Sequence, residues 1–308
     1  MRICSLLPSS TEIAFALGLG DQVVTVTHEC DYPPQARTKR IITNSALAKH
    51  DHTSSEIDQL VSTHAGQEHS LYHLNETVLW ELNPDMILTQ ELCTVCAVSY
   101  REVQEAARVL EGECRIVSLE PTSLEDILDN IRLVGRLTGR EPEAQNLVAS
   151  LKARIDRVRT LAAEIRPRPR VFCLEWLDPF WVAGHWVPQM VWLAGGEDRL
   201  GRWKAPSFRT TWEEVARYRP EVVVMMPCGF DVERTLLELN RMDPPEVWNN
   251  LPAVRAGQIF VVNGSAYFNR PGPRIVDGLE ILAEILHPEV FGSSLHEGAV
   301  HRLEGKWS

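Results

Sequence analysis

No run of about eighteen apolar residues occurs in the chain, and a helix needs that length to cross a bilayer, so no spanning segment is expected. Basic charge is in short supply: 31 Lys and Arg face 42 Asp and Glu, for a formal net charge of −11. Nucleic acids and anionic membrane surfaces select for a basic face, so neither is expected as the main partner, although a local basic patch is compatible with the total. Four compact catalytic signatures are missing: Gly-x-Ser-x-Gly, Gly-x-x-x-x-Gly-Lys, Gly-x-Gly-x-x-Gly and His-Glu-x-x-His. Their joint absence points to binding and not to an enzyme. A charged leader with an apolar stretch and a cleavage site is also absent, and Met1–Leu7 reads as the start of a strand. The expectation is a cytoplasmic protein, or a periplasmic one if the leader was removed.

The 308 residues, 44% hydrophobic and 24% charged, suffice for two globular lobes with real cores. Seven cysteines are an odd number, a poor basis for a disulfide framework in a chain this long. Thiols in a reducing compartment, some buried and some available to metal, fit better.

Apolar, β-rich runs alternate with helical patterns. Strands are expected at Arg2–Leu6, Val23–Thr27, Met86–Thr89, Ile116–Ser118, Val171–Leu174, Val222–Met226 and Ile259–Val262. Helices are expected at Thr11–Leu19, Val98–Leu110 and Trp212–Tyr218. This alternation implies parallel sheets with right-handed crossovers. In the middle, Leu124, Ile127, Leu128, Ile131, Val134 and Leu137 recur at helical spacing. Pro142 then sits at the start of a second helix, whose apolar face runs from Ala144 to Ile165 before Arg166-Pro167-Arg168-Pro169-Arg170 breaks it. At 1.5 Å per residue this helix would run roughly 35 Å, long enough for a strut between lobes. The expected architecture is α/β: two Rossmann-like α/β lobes, residues 1–140 and 167–308, bridged by a long backbone helix over 141–166. The segment from Thr43 to Asn75 is polar, holds five histidines and breaks the rhythm, so a long irregular loop is expected there. The stretch from Glu289 to Ser308 reads as a peripheral extension.

Ligands of parallel α/β sheets bind beyond the carboxyl ends of the strands, so the residues after each strand are the candidates. Tyr32 follows the second expected strand. Cys30, Cys93, Cys96 and Cys228 also fall in this set. Cys93-x-x-Cys96 has three readings: a metal grip, a redox dithiol, or two part-buried thiols at a helix start. Completed by Cys30 and Cys228, it would favour zinc or an iron–sulfur cluster. Nine tryptophans are many, and Trp176 and Trp181 look like the wall of a pocket for a large flat ligand. His185 is a candidate axial ligand to a cobalt or iron centre, weighed against a packed or surface histidine.

The run SLLPSSTEIAFALGLGDQVVTVTHECDYPPQA at Ser5–Ala36 resembles the cobalamin-binding substrate-binding proteins of ABC importers, of the helical-backbone class. The resemblance continues in LNPDMIL at 82–88, AGGEDRL at 194–200 and FNRPGPRIVDGLEILAEIL at 268–286, and so covers most of the chain. It implies a class III periplasmic-binding-protein-like fold with ligand in a cleft. It also implies ligand contacts from Pro8 and Ser9 in the first lobe and from Tyr267, Phe268 and Arg274 in the second, with Glu91 and Cys93 on a cleft-facing loop. The expected function is to hold a cobalamin or related corrinoid for transport, storage or delivery. The expected partners are this small molecule and an ABC importer. The alternative is a metal or iron–sulfur protein whose cysteine-ligated centre sits in the same cleft.

Overall fold

The structure is a computed structural model describing residues 1–45, 52–65, 72–90, 100–108, 110, 113–292, 298–304 and 307. The chain divides into two compact units, Met1–Pro121 with Glu125–Ala149, and Thr122–Leu124 with Ser150–Ser308.

The first unit runs β1 (Ile3–Ser5), α1 (Pro8–Ala16), β2 (Val23–Val26), β3 (Arg40–Ile41), β4 (Thr43–Ser45), α2 (Ser54–Ala65), β5 (Tyr72–Leu74), α3 (Glu76–Leu82), β6 (Met86–Thr89), α4 (Tyr100–Ala107), β7 (Arg115–Ser118) and α5 (Leu124–Thr138). Its main sheet is parallel throughout, in the order β3-β2-β1-β6-β7. Cys4, Leu6, Ile42, Leu79, Ile87 and Val103 pack one core. Between Thr43 and Asn75 the described residues are more ordered than the polar composition implies. β4 and β5 pair antiparallel. The helix α2 opens on a reciprocal cap in which Thr53 N donates to Glu56 Oε2 at 2.8 Å and Glu56 N donates to Thr53 Oγ1 at 3.3 Å.

α6 (Glu141–Ala162) is 22 residues, about 33 Å, and the division between units falls within it, after Ala149. In its second half Arg154 makes a fork to Glu280, 3.0 Å to Oε1 and 2.5 Å to Oε2, and reaches Asp277 Oδ1 at 2.5 Å. Two carboxylates on one guanidinium fix this part of α6 against the helix that carries them.

The second unit continues with β8 (Val171–Leu177), β9 (Phe180–Val182), α7 (Val187–Leu193), β10 (Phe208–Arg209), α8 (Trp212–Tyr218), β11 (Val222–Met225), α9 (Val232–Arg241), α10 (Pro252–Arg255), β12 (Ile259–Val262), α11 (Gly264–Tyr267), α12 (Ile275–Leu286), α13 (Pro288–Phe291) and β13 (Val300–Arg302). The sheet order is β10-β9-β8-β11-β12-β13. β8, β11 and β12 are parallel, while β9, β10 and β13 join antiparallel.

The expectation of a peripheral tail is overturned. β13 extends the sheet beside β12, and Trp307 is 5% exposed. Its indole N–H donates to Leu239 O at 3.0 Å, and its carbonyl accepts from Trp248 Nε1 at 3.1 Å. Trp248 is fully buried and meets Trp307 edge-on at 5.1 Å and Trp212 at 5.4 Å. Edge-to-face aromatic packing of this kind stabilises beyond area burial alone.

One buried polar group is poorly matched. Asp198 Oδ1 accepts from Leu200 N at 3.0 Å and Gly201 N at 2.7 Å, but Oδ2 is sealed from solvent with no hydrogen-bond partner, although the residue as a whole is half-buried. Burial pushes this carboxyl up to about 6, against the pull of the two backbone donors.

Two predictions follow from this packing. Trp307→Ala should cost about 3–5 kcal/mol in urea unfolding, because it removes a buried indole and both of its neighbours' contacts. A cost below about 0.5 kcal/mol would mark a surface appendage. Asp198 has a raised folded pKa, so its stabilising contribution is present below about pH 4 and is lost as pH rises through about 6. Asp198→Asn stays neutral. The gap between its unfolding free energy and the wild type's should therefore widen by on the order of 2 kcal/mol in the variant's favour from acid to neutral pH. A pH-independent gap would contradict the assignment.

Candidate functional site

In the first unit, the exits of β1 and β2 meet in a buried knot of hydroxyls. Pro8 opens α1, where its missing N–H costs nothing, and is half-buried, while Ser9 is buried. Ser5 Oγ lies 2.7 Å from Ser10 Oγ and 2.8 Å from Thr11 Oγ1. Ser10 donates to Leu7 O at 3.0 Å. Cys30, 4% exposed, is enclosed by this knot, its sulfur 3.1 Å from both Thr11 Oγ1 and Thr27 Oγ1. The knot joins the first turn of α1 to the loop after β2, and Cys30 is part of that join. Two residues before it, His28 Nδ1 pairs with Thr43 Oγ1 at 2.9 Å. Tyr32, two residues beyond, is 44% exposed. Glu91, Cys93 and Cys96 lie outside the described residues. Among the described residues no group of three or more His, Cys, Asp or Glu is placed to hold a metal ion.

In the second unit, the exits of β8, β11 and β12 lie at one edge because those strands are parallel. β8 turns into β9 through Asp178-Pro179, which sets Trp176 opposite Trp181. Trp176 donates its indole N–H to Asp178 O at 3.1 Å, and its ring lies 5.3 Å from that of Phe230 in the loop after β11. Arg234 stands 4.9 Å from the other partner, Phe230. Cys228 N donates to Glu175 O at 2.9 Å, which ties the same loop to β8. Cys228 itself is half-buried. Ser207 donates to Glu175 Oε1 at 2.7 Å and accepts from Gly184 N at 3.1 Å, so the loop preceding His185 is anchored to the same carboxylate.

The exit of β12 is held by close backbone approach. A Cβ on Gly264 would come within 2.6–2.7 Å of the Met226–Pro227 backbone, and one on Gly278 would collide with Tyr267 O. Only glycine permits these two contacts, which press α11 between the β11 exit and α12. Tyr267 is half-buried with the Arg274 guanidinium 5.7 Å from its ring. Phe268 is fully buried, and its carbonyl accepts from Trp186 Nε1 at 2.8 Å, so it supports the loop from beneath.

His185 adopts φ 52°, and its Nε2 is sealed without a hydrogen-bond partner. Burial lowers its pKa, which keeps the imidazole neutral at neutral pH. Its ring lies 5.4 Å from Trp186. Trp181 Nε1 is likewise sealed and unpartnered, with Arg209 at 5.7 Å from the ring. The order of strands and loops places Glu175 and Phe230 at this edge but does not single them out as site residues, and Arg234, on α9, is missed altogether.

A groove of about 1060 Å³ lies elsewhere in this unit, at the amino ends of its strands, lined among others by Arg168, Val222, Phe260, Ile285 and Arg302. It has none of the converging aromatic and polar groups described above. Parallel α/β sheets place their ligands at the opposite edge, so we assign the candidate site to the strand exits.

Two α/β units whose parallel strands release polar and aromatic loops at their carboxyl ends define a solute-binding protein. Residues 3–266 match the periplasmic binding protein family, and the chain belongs to it. The vitamin B12-binding protein of Vibrio cholerae is 25% identical over 281 residues, covering 91% of this chain and 86% of its own. An ABC transporter substrate-binding lipoprotein of Bacillus subtilis is 22% identical over 303 residues, covering 94% and 81%. The structure of a periplasmic heme-binding protein from Pseudomonas aeruginosa superposes with a TM-score of 0.74 over 99% of this chain and 98% of its own, at 18% identity, and so shares the fold.

The thiols differ enough in setting to be told apart chemically. Burial pushes Cys4 and Cys173 far up and Cys114 to about 11, and Cys30 is enclosed by threonines. Among these five described cysteines, Cys228 should therefore be alkylated by iodoacetamide in the native protein at least about tenfold faster than the others, as read by peptide mass spectrometry. Equal labelling of Cys30 would show that the hydroxyl knot does not close.

Proposed function

We propose that the chain is a binding protein, without catalytic activity, for cobalamin or a related corrinoid, and that it delivers this ligand to an ABC importer. The observation that carries the reading is the edge of the second unit, where Trp176 meets Phe230 and Arg274 stands over Tyr267. Cobalamin is a broad, flat corrin ring with amide arms and a phosphodiester-linked nucleotide. Aromatic faces bury such a ring at low entropic cost, and a guanidinium suits its phosphate. In the first unit Pro8, Ser9 and Tyr32 are the proposed contacts. The V. cholerae relative, named for vitamin B12, supports the ligand, and the B. subtilis relative supports the importer. Relatives named as periplasmic or as a lipoprotein favour the periplasmic alternative over the cytoplasmic expectation.

A second reading is heme. It draws on the P. aeruginosa neighbour and on His185, whose neutral imidazole is the form that ligates iron. The zinc or iron–sulfur reading would rest on Cys93 and Cys96 with Cys30 and Cys228, and no described set of residues supports it.

Titration of the purified protein with cyanocobalamin, followed by tryptophan quenching, should give a Kd below about 1 μM. Tyr267→Ala and Arg274→Gln should each weaken it about tenfold, the equivalent of about 1.4 kcal/mol. Saturation by hemin with no response to cyanocobalamin would select the second reading. A response to neither would remove both.

A further inference from the structure

Asp198 takes no part in the candidate site, yet it stands at the root of a loop that reaches the site. Residues 194–207 connect α7 to β10. Asp198 Oδ1 accepts from Leu200 N and Gly201 N and so closes a tight turn in this loop. Its Oδ2 is sealed without a hydrogen-bond partner. A Cβ on Gly201 would lie 2.5 Å from Oδ2 and 2.9 Å from Ala183 O. A carboxylate oxygen and a carbonyl oxygen thus converge on one glycine, and an ionised Asp198 brings no proton to either.

The far end of the loop clasps the ligand edge. His185 N donates to Ala205 O at 2.6 Å, and Lys204 N donates to His185 O at 2.9 Å. Both His185 and Lys204 take left-handed backbone, φ 52° and 61°, a conformation that residues other than glycine keep only while their neighbours hold it. Ser207 carries the clasp onward, accepting from Gly184 N and donating to Glu175 Oε1. The charged and titratable groups around Asp198 are few. Cys173 on β8 and the Tyr218 phenol on α8 are both pushed up, first by burial, and stay uncharged at neutral pH. α7 and β9 carry no titratable side chain. On the loop itself Glu197 pairs with Arg199 at 2.6 Å, Arg202 lies over the Phe208 ring, and Lys204 is exposed.

We propose that Asp198 is a proton latch on the ligand edge: protonated, it holds the turn and the clasp closed, and ionised, it lets them open. A buried carboxylate with one unpartnered oxygen is relieved by opening towards water, whereas the neutral acid supplies a donor where two acceptors converge. Opening the turn separates Lys204 and Ala205 from His185, and Ser207 from Gly184 and Glu175. The carboxyl is raised to about 6 in the closed form, by burial against the pull of its two backbone donors. The closed form therefore has its full advantage below about pH 4 and loses it as pH rises through about 6. Between about pH 5 and 7.5 the ratio of closed to open should fall about tenfold. The consequence for binding, that solute is held more firmly in acid, rests on the reading of the strand exits as the solute site. The latch itself does not depend on which solute is carried.

The test is hydrogen exchange on the free full chain at about pH 5 and 7.5, corrected for the intrinsic pH dependence of exchange, so that it reads local opening. Protection at residues 184–186 and 200–207 should be about tenfold lower at the higher pH in the wild type. In Asp198→Asn, which keeps Oδ1 and stays neutral, it should remain at the acid level at both. Equal wild-type protection at the two pH values would overturn the latch, and this comparison decides without the variant. A pH dependence that Asp198→Asn retains would also overturn it. Cyanocobalamin titration at the same pH values tests the coupling to the site. Its Kd should rise by up to about tenfold from acid to neutral pH in the wild type and not in the variant, and a wild-type Kd independent of pH would overturn the coupling. No binding at either pH, with the exchange result intact, would remove the corrinoid reading and leave the latch standing.

Discussion

Parallel pairing of β8, β11 and β12 is the constraint on which the second unit rests. Strands paired this way cannot be joined by a tight turn, so each connection crosses a face of the sheet and every strand exits at the same edge. Their valines and isoleucine are buried on both faces, as such strands require, and full burial of each is worth about 1.5–3 kcal/mol. The loops at the exits have little core of their own. They inherit their positions from the sheet, through Cys228 N on Glu175 O and Ser265 N on Phe230 O.

Backbone proximity extends that order to the aromatic and cationic groups. Arg154 on the long helix grips Asp277 and Glu280 on α12, α12 meets the carbonyl of Tyr267 through Gly278, and α11 abuts the β11 exit through Gly264. A displacement of α12 would therefore be felt at Tyr267. In the first unit hydroxyls do the corresponding work: Ser5, Ser10, Thr11 and Thr27 join two strand exits around the Cys30 thiol.

Much of the architecture was legible because it follows from local periodicity. Met86–Thr89, Ile259–Val262 and Trp212–Tyr218 have the bounds expected from their patterns, and the long helix starts where expected and ends four residues early, at Ala162. The two-lobed α/β class was likewise readable from strands alternating with helices. What escaped was non-local. β9, β10 and β13 are two or three residues long, too short for any period, and Trp307 owes its burial to Trp248, 59 residues away in the chain. The polar stretch from Thr43 to Asn75 was misread because its pairing and its Thr53–Glu56 cap outweigh its composition. In the candidate site, Tyr267 and Arg274 came from a motif. The partnership of Trp176 with Phe230 depends on β8 and β11 lying side by side, which no spacing records. The threonines that surround Cys30 are separated from it by up to 19 residues and become its neighbours only once β1 and β2 pair.

The central claim is that solute binds at the strand exits and not at the groove on the amino side of the same sheet. Hydrogen–deuterium exchange with and without cyanocobalamin tests it directly. The account requires protection at residues 175–179, 227–231 and 263–274, with residues 167–169 and 284–288 unchanged. Protection confined to the latter two segments would contradict it.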